Sequence, residues 1–331
     1  MNYILTHPQT VESLKRWAHF NPRIALLGSA VQQLKCVPPT SSLQHLWAFA
    51  TTALLVANDI DSRHDPAKEL DQEYIMLLTA LDSTMQYHHE NSQKGSNGQY
   101  LETRLQDPHG IVGLEDRGRE SKRIAEMHWS NFHFDPACFH QRSWQDSFLS
   151  LAIQFGLCNY VKAELGKGNS AGKVLRSKKG RPLLDYALVP STIAPYHLAK
   201  PRLVKTLLDH GADPNAKFEK RTCWERALQW QHESYASAAS EGGGWTLDEA
   251  RGRAEERIEI FQLLVSRHAD VRSFIVTAKG RRVSARSVLD ESFRPWLNEA
   301  PLKGLETLLA SFPKDDEQRR RGTFSFSVGK I

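Results

Sequence analysis

The residues RLVKTLLDHGADPNA at 202–216 decide how this chain is read. Leu207 and Leu208 place a paired apolar contact on one face of a short helix. Gly211 follows where a helix has to end in the left-handed region, which glycine enters at little cost. Asp213, Pro214 and Asn215 then supply the chemistry of a tight turn. A helix this short cannot bury its apolar face alone. Copies of the unit are therefore expected nearby in the sequence.

A partner block recurs four times: SFLSLAI at 147–153, PLLDYAL at 182–188, TCWERAL at 222–228 and SVLDESF at 287–293. Aligned, they set Leu149, Leu184, Trp224 and Leu289 in one column, and the small residues Ala152, Ala187, Ala227 and Ser292 in another. An apolar and a small residue three apart share one helix face, and the small one lets a neighbouring helix approach closely. The column spacings are 35, 40 and 65 residues. Second helices follow at 160–169, 202–216 and 260–272, with Leu264-Val265 matching Leu207-Leu208. Gly168 matches Gly211, whereas His268 takes the glycine's place in the third unit, so a strained or reshaped helix end is expected there. Insertions follow the second block, at 189–199, and the third, at 229–255 with its glycine run at 242–244. Both are expected between helices, where added length costs little.

This pattern resembles the ankyrin family, whose uninterrupted unit is about 33 residues long, and LLDHGADPN is its most specific segment. On a larger scale the order of parts resembles the C-terminal region of fungal NACHT-type proteins, signalling NTPases of the STAND class. The matching stretches are FNPRIALLGSAVQQLK at 20–35, LWAFATTALL at 46–55, YIMLLTALDSTM at 74–85, HWSN at 128–131 and DSFLSLAIQFGLCNYVKAEL at 146–165. Those proteins carry an NTPase module upstream that nothing here supplies. The resemblance implies a detached effector or regulatory end, or a fragment of a longer chain.

Residues 1–90 read as a helical domain. Pro22 divides 11–35 into two helices. Thr40, Ser41 and Ser42 offer caps for a helix over 43–58, and 70–88 shows helical spacing through Leu70, Tyr74, Leu77, Leu78, Leu81 and Met85. The polar stretch 91–127 reads as a flexible loop or linker, 128–142 as a hinge, 143–311 as three to four degenerate repeats and 312–331 as a disordered tail. The longest apolar run, LWAFATTALLVA at 46–57, is too short for a membrane span and reads as a buried helix. With no secretory signal and no CxxC among Cys36, Cys138, Cys158 and Cys223, an intracellular, cytoplasmic protein with reduced thiols is expected.

Chemistry finds few candidates. GKGNSAGKV at 166–174 suggests a phosphate loop, but Val174 stands where the magnesium-binding hydroxyl belongs and no strand precedes it. His128, His133, Cys138 and His140 carry zinc-type ligands at a spacing that matches no common zinc pattern. The interleaved Trp129, Phe132, Phe134 and Phe139 point to packing instead. His88-His89 reads as a solvated helix end, Asp146 and Asp185 as helix caps, and Asp315-Asp316 as solvated charge. No catalytic, cofactor-binding or metal-binding residue is nominated. A net charge of +5 is too mild to call for nucleic acid, although SKKGR at 177–181, KGRR at 279–282 and QRRRG at 318–322 are locally basic.

The expectation is thus an all-α chain, a helical domain followed by a short irregular ankyrin-like solenoid, that binds a protein partner and is not an enzyme. The expected contacts are Lys178, Lys179 and Arg181 on one turn, and Lys217, Phe218, Glu219 and Lys220 after the next. A regulatory fragment serving a separate NTPase chain, or weak nucleic-acid binding through the basic turns, is the alternative.

Overall fold

A computed structural model describes residues 21–38, 43–63, 72–95, 128–129, 147–167, 175, 180–189, 200–240, 247–277 and 280–313. Of these residues 74% are helical and 5% are in strands, an all-α fold with two small hairpins among the described residues. It divides into two compact units, Met1–Gly166 and Lys167–Ile331.

In the first unit, α1 (Pro22–Cys36) opens at its proline, while the first of the two helices expected over 11–35 lies outside the described residues. Asn21 caps it, its side chain accepting the N–H groups of Arg23 and Ile24. Proline suits a first turn because its missing donor would be unpaired there anyway. Ile24, Leu27, Val31 and Leu34 form the buried stripe. Helices α2 (Leu43–Arg63) and α3 (Gln72–Gly95) both run past their expected ends. Leu46, Ala50, Ala53, Leu54 and Ala57 of the long apolar run are buried, as a core helix requires. Among the described residues no helix is long and apolar enough to cross a membrane. Because α3 continues two further turns, His88 and His89 are not a solvated end. Each is 1% exposed, and His88 Nε2 lies 2.9 Å from the Leu34 carbonyl.

The pair α4 (Phe148–Gln154) and α5 (Cys158–Gly166), grouped by sequence with the repeats, belongs to this first unit. Buried Asp61 of α2 ties it down, accepting the Asn159 N–H at the start of α5 (2.8 Å) and the Tyr74 hydroxyl (3.3 Å). A carboxylate there suits the positive end of the helix dipole. Burial first, and then that carboxylate, push the Tyr74 hydroxyl's pKa far above its ordinary value. Trp129 makes the second tie. It is buried, donates Nε1–H to Asp82 (2.6 Å), meets Trp47 edge-on at 5.0 Å and packs 6.0 Å from Phe148.

The second unit is a run of helix pairs: α6 (Leu183–Leu188) with α7 (Pro201–Asp209), α8 (Cys223–Ser240) with α9 (Leu247–Ser266), and α10 (Ala285–Phe293) with α11 (Glu299–Ala310). A 3-10 turn over Arg294–Trp296 leads into the last helix. The hairpin β1 (Lys217–Phe218) and β2 (Arg221–Thr222) joins the first two pairs, and β3 (Phe274–Val276) with β4 (Arg282–Ser284) joins the next two.

The turns that leave α7 and α9 are built alike. Gly211 takes φ 92° and His268 takes φ 65°. The N–H groups of Ala212 and Ala269 reach back to Leu207 and Leu264, while those of Gly211 and His268 bond Leu208 and Val265. This is the Schellman closure, which satisfies the last carbonyls of a helix. His268 therefore adopts the glycine's conformation with a side chain attached. Asp213 and Asp270 next accept the N–H groups of Asn215 (2.8 Å) and Arg272 (3.0 Å). At the end of each hairpin the chain closes again, Cys223 N–H onto Ala216 and Ala285 N–H onto Ser273.

These caps correct the alignment of the fourth block. Thr222 caps α8, its Oγ1 accepting the Glu225 N–H, and Ser284 caps α10 in the same way through Ser287. The matching segment is thus SARSVLD at 284–290, three residues before SVLDESF. Leu289 stands in the small-residue column and Arg286 in the apolar one. The slip arises because apolar positions recur every three or four residues, so pattern alone leaves a one-turn ambiguity that the cap removes. The 229–255 insertion is also not a loop between helices, since most of it lengthens α8 and α9.

Two contacts bind one turn to the next. The Asn215 side-chain amide donates to the His268 carbonyl (2.8 Å), and its oxygen accepts the Asp270 N–H (3.0 Å). Trp224, fully buried, donates Nε1–H to Ser273 Oγ (2.7 Å) and packs against Phe261 and Phe312. Asn215→Ala is expected to lower stability by about 1–2 kcal/mol, the sum of two ordinary hydrogen bonds. His268→Gly is expected to raise it by roughly 0.5–1 kcal/mol by relieving the left-handed residue. Urea unfolding of each variant measures both, and a destabilised His268→Gly would refute the strain at that turn.

Candidate interaction surface

Both hairpins of the second unit carry exposed side chains. In the first, Lys217 pairs with Thr222 and Phe218 with Arg221, leaving a two-residue tip of Glu219 and Lys220. Their φ values, 50° and 69°, are those of a type I′ turn, the form whose twist suits a tight hairpin. Neither residue is glycine, so the tip carries two side chains where backbone alone would be cheaper. Glu219 is held by Arg226 (3.6 Å), whose guanidinium also lies 5.4 Å from the Phe218 ring. Lys217, Lys220 and Arg221 are exposed.

In the second hairpin Val276 pairs with Arg282 and Ile275 with Val283. Strand alternation turns Ile275 and Val283 inward, where both are buried, and leaves Phe274 and Val276 outward at 40% and 45% exposure. Arg282 lays its guanidinium 3.3 Å from the centre of the Phe274 ring. Gly280, at φ 74°, shapes the loop, and Gly280, Arg281 and Arg282 are all exposed. The sequence had pointed to KGRR at 279–282 only as a basic turn. The alternation in FIV and RVS on either side was the available signal for strands.

Of the seven residues nominated from sequence, the structure brings Lys217, Phe218, Glu219 and Lys220 together on this first hairpin. Lys178 and Lys179 lie outside the described residues. Arg181 is not a surface contact at all. It is 1% exposed, ion-paired with the fully buried Asp185, bonded to the Val189 carbonyl (3.1 Å) and 4.2 Å from the centre of the Tyr186 ring. Asp185 does not cap its helix either: Pro182 holds the cap position, and the carboxylate bridges Arg181 and Arg226, the latter at 2.9 Å.

Of the zinc-type group, His128 stands 3.0 Å from Asp82. His133, Cys138 and His140 lie outside the described residues, as do Asp146, Asp315 and residues 168–174 of the phosphate-loop candidate. Among the described residues no group of three or more His, Cys, Asp or Glu is arranged to hold a metal ion. Cys158 and Cys223 are buried and Cys36 is exposed; burial pushes the Cys223 thiol's pKa well above its ordinary value. Comparison of the chain with family models, curated proteins and solved structures finds no match. The reading of the surface rests on its own geometry.

Arg181→Ala is expected to destabilise the second unit by about 3 kcal/mol, since it leaves a buried carboxylate with one arginine in place of two. Arg181→Met combined with Asp185→Leu should cost less than the single change. Thermal unfolding of the pair decides. If the single variant were as stable as the parent, Arg181 would have to be a surface residue after all.

Proposed function

We propose that this chain is a protein-binding module of the ankyrin-repeat type, that it works without catalysis, and that the partner meets the hairpin tips. The reading that it is the effector end of a NACHT-type signalling protein belongs to the same proposal and rests on sequence resemblance alone. The observation that carries the binding role is the repetition of one design. Two successive turns share a left-handed residue at the same place, the helix closure and the aspartate bonds, and each leads into a hairpin. Stacked units of this kind give an extended surface whose framework is independent of what the tips carry. A binding role also accounts for side chains, rather than glycines, at the first tip.

The test is photo-crosslinking of the intact chain in a cell extract. A photoreactive residue in place of Lys220 or Arg281 is expected to join other polypeptides, and the same residue in place of exposed Lys303 on α11 is not. Equal yields at all three positions would remove the reading. Calorimetry with magnesium and ATP or GTP is expected to show no heat of binding. A saturable heat would establish an intrinsic nucleotide site and favour the regulatory NTPase alternative.

A further inference from the structure

We infer that the two hairpins together select an acidic polypeptide segment that also carries an aliphatic or aromatic side chain. This deepens the protein-binding reading and rests on it. Cations outnumber carboxylates on the surface, where Asp213, Glu219 and Asp270 are also exposed. Lys217, Lys220, Arg221, Arg272, Arg281 and Arg282 are exposed, and among the described residues none lies within ion-pair distance of a carboxylate. The acidic residues closest in sequence are already engaged. Asp213 and Asp270 accept backbone N–H groups, Glu225 accepts that of Thr222, and Glu219 faces Arg226. The Asn215 bridge holds the bases of the two hairpins side by side, so their cations belong to one surface.

The apolar half of the surface is Phe274 and Val276, outward on the same strand and flanked by Arg282. A two-stranded hairpin is marginal by itself in water, and its outward apolar residues gain most from being covered. Carboxylates on the guanidinium groups and an apolar side chain on Phe274 and Val276 would satisfy both halves at once. Arginine favours such paired recognition of carboxylates through its planar fork. Nucleic acid suits the surface less well. Phosphates would meet the cations but leave Val276 uncovered, and one face of the Phe274 ring already carries the Arg282 guanidinium, which reduces it as a platform for base stacking.

The probe is a fluorescein-labelled peptide of Glu and Asp residues interrupted by one Leu and one Phe, followed by fluorescence anisotropy with the full chain. Binding is expected, and roughly tenfold weaker binding when Ser replaces the Leu and Phe. Arg282→Glu and Val276→Ser are each expected to weaken it by about tenfold. Arg281→Glu, in the exposed loop, provides a second charge reversal should Arg282→Glu disturb the hairpin, and circular dichroism confirms that each variant is folded. A DNA duplex labelled with the same dye is expected to bind more weakly at physiological salt. The inference is overturned if the Ser-containing peptide binds equally well, if the duplex binds more tightly, or if no peptide binds. Crosslinks from position 220 or 281 that persist while the peptides fail would sink the acidic-apolar specificity alone. Loss of both the crosslinks and the peptide binding would sink the protein-binding reading with it.

Discussion

Everything in the second unit depends on how the chain turns after α7 and again after α9. A stack of short helix pairs has no closed core; each pair is buried only by its neighbours. The direction in which the chain leaves one pair therefore decides whether Trp224 and Phe261 are inside or in water. That direction is set by one left-handed residue, Gly211 or His268, followed by an aspartate that folds the next two residues onto itself. Asn215 then locks the first turn to the second, and the Trp224–Ser273 bond carries the same registration into the core. A free turn would lose both, because neither bond can form unless the two turns lie at a fixed separation.

These same turns were the legible part of the sequence. Gly211 with Asp213, Pro214 and Asn215 announces a helix end on local chemistry alone, and Ala152, Ala187 and Ala227 of the small-residue column are buried. Legibility fails where a residue's role depends on distant neighbours. His88 and His89 look like a polar helix end until α3 is seen to continue and the Leu34 carbonyl of α1 to meet His88. The one-turn slip in the fourth block has a related cause. Arg286 occupies an otherwise apolar position because its guanidinium reaches the Leu309 carbonyl of α11, a contact 23 residues away that the local pattern does not encode.

Arg181 shows the same limit for charge. In a run of Lys, Lys, Gly and Arg the natural reading is a solvated basic turn, and the chain's mild net charge offers no correction. The deciding feature is Asp185, four residues on and buried at the start of a helix, where a carboxylate needs cations to remain charged. Arg226, arriving from the next pair, completes the arrangement and also reaches Glu219 at the hairpin tip. One arginine thus connects a buried charge to the exposed surface. The interior of one pair thereby fixes the orientation of the hairpin that follows.

That connection bears on why the first tip is built as it is. Left-handed conformations at two successive residues with side chains cost about 1–3 kcal/mol each, and persist where the surroundings hold them. The surroundings here are the Arg226 contacts to Phe218 and Glu219 and the closure of Cys223 onto Ala216. Lys220, the second residue of the tip, is exposed. Asn-Gly would make the same turn more cheaply, but it would present no charge. Glu219 closes the hairpin onto Arg226, and Lys220 stands next to it at the tip. Lys220 is exposed and, among the described residues, forms no ion pair, which is the position in which the proposed binding surface uses it.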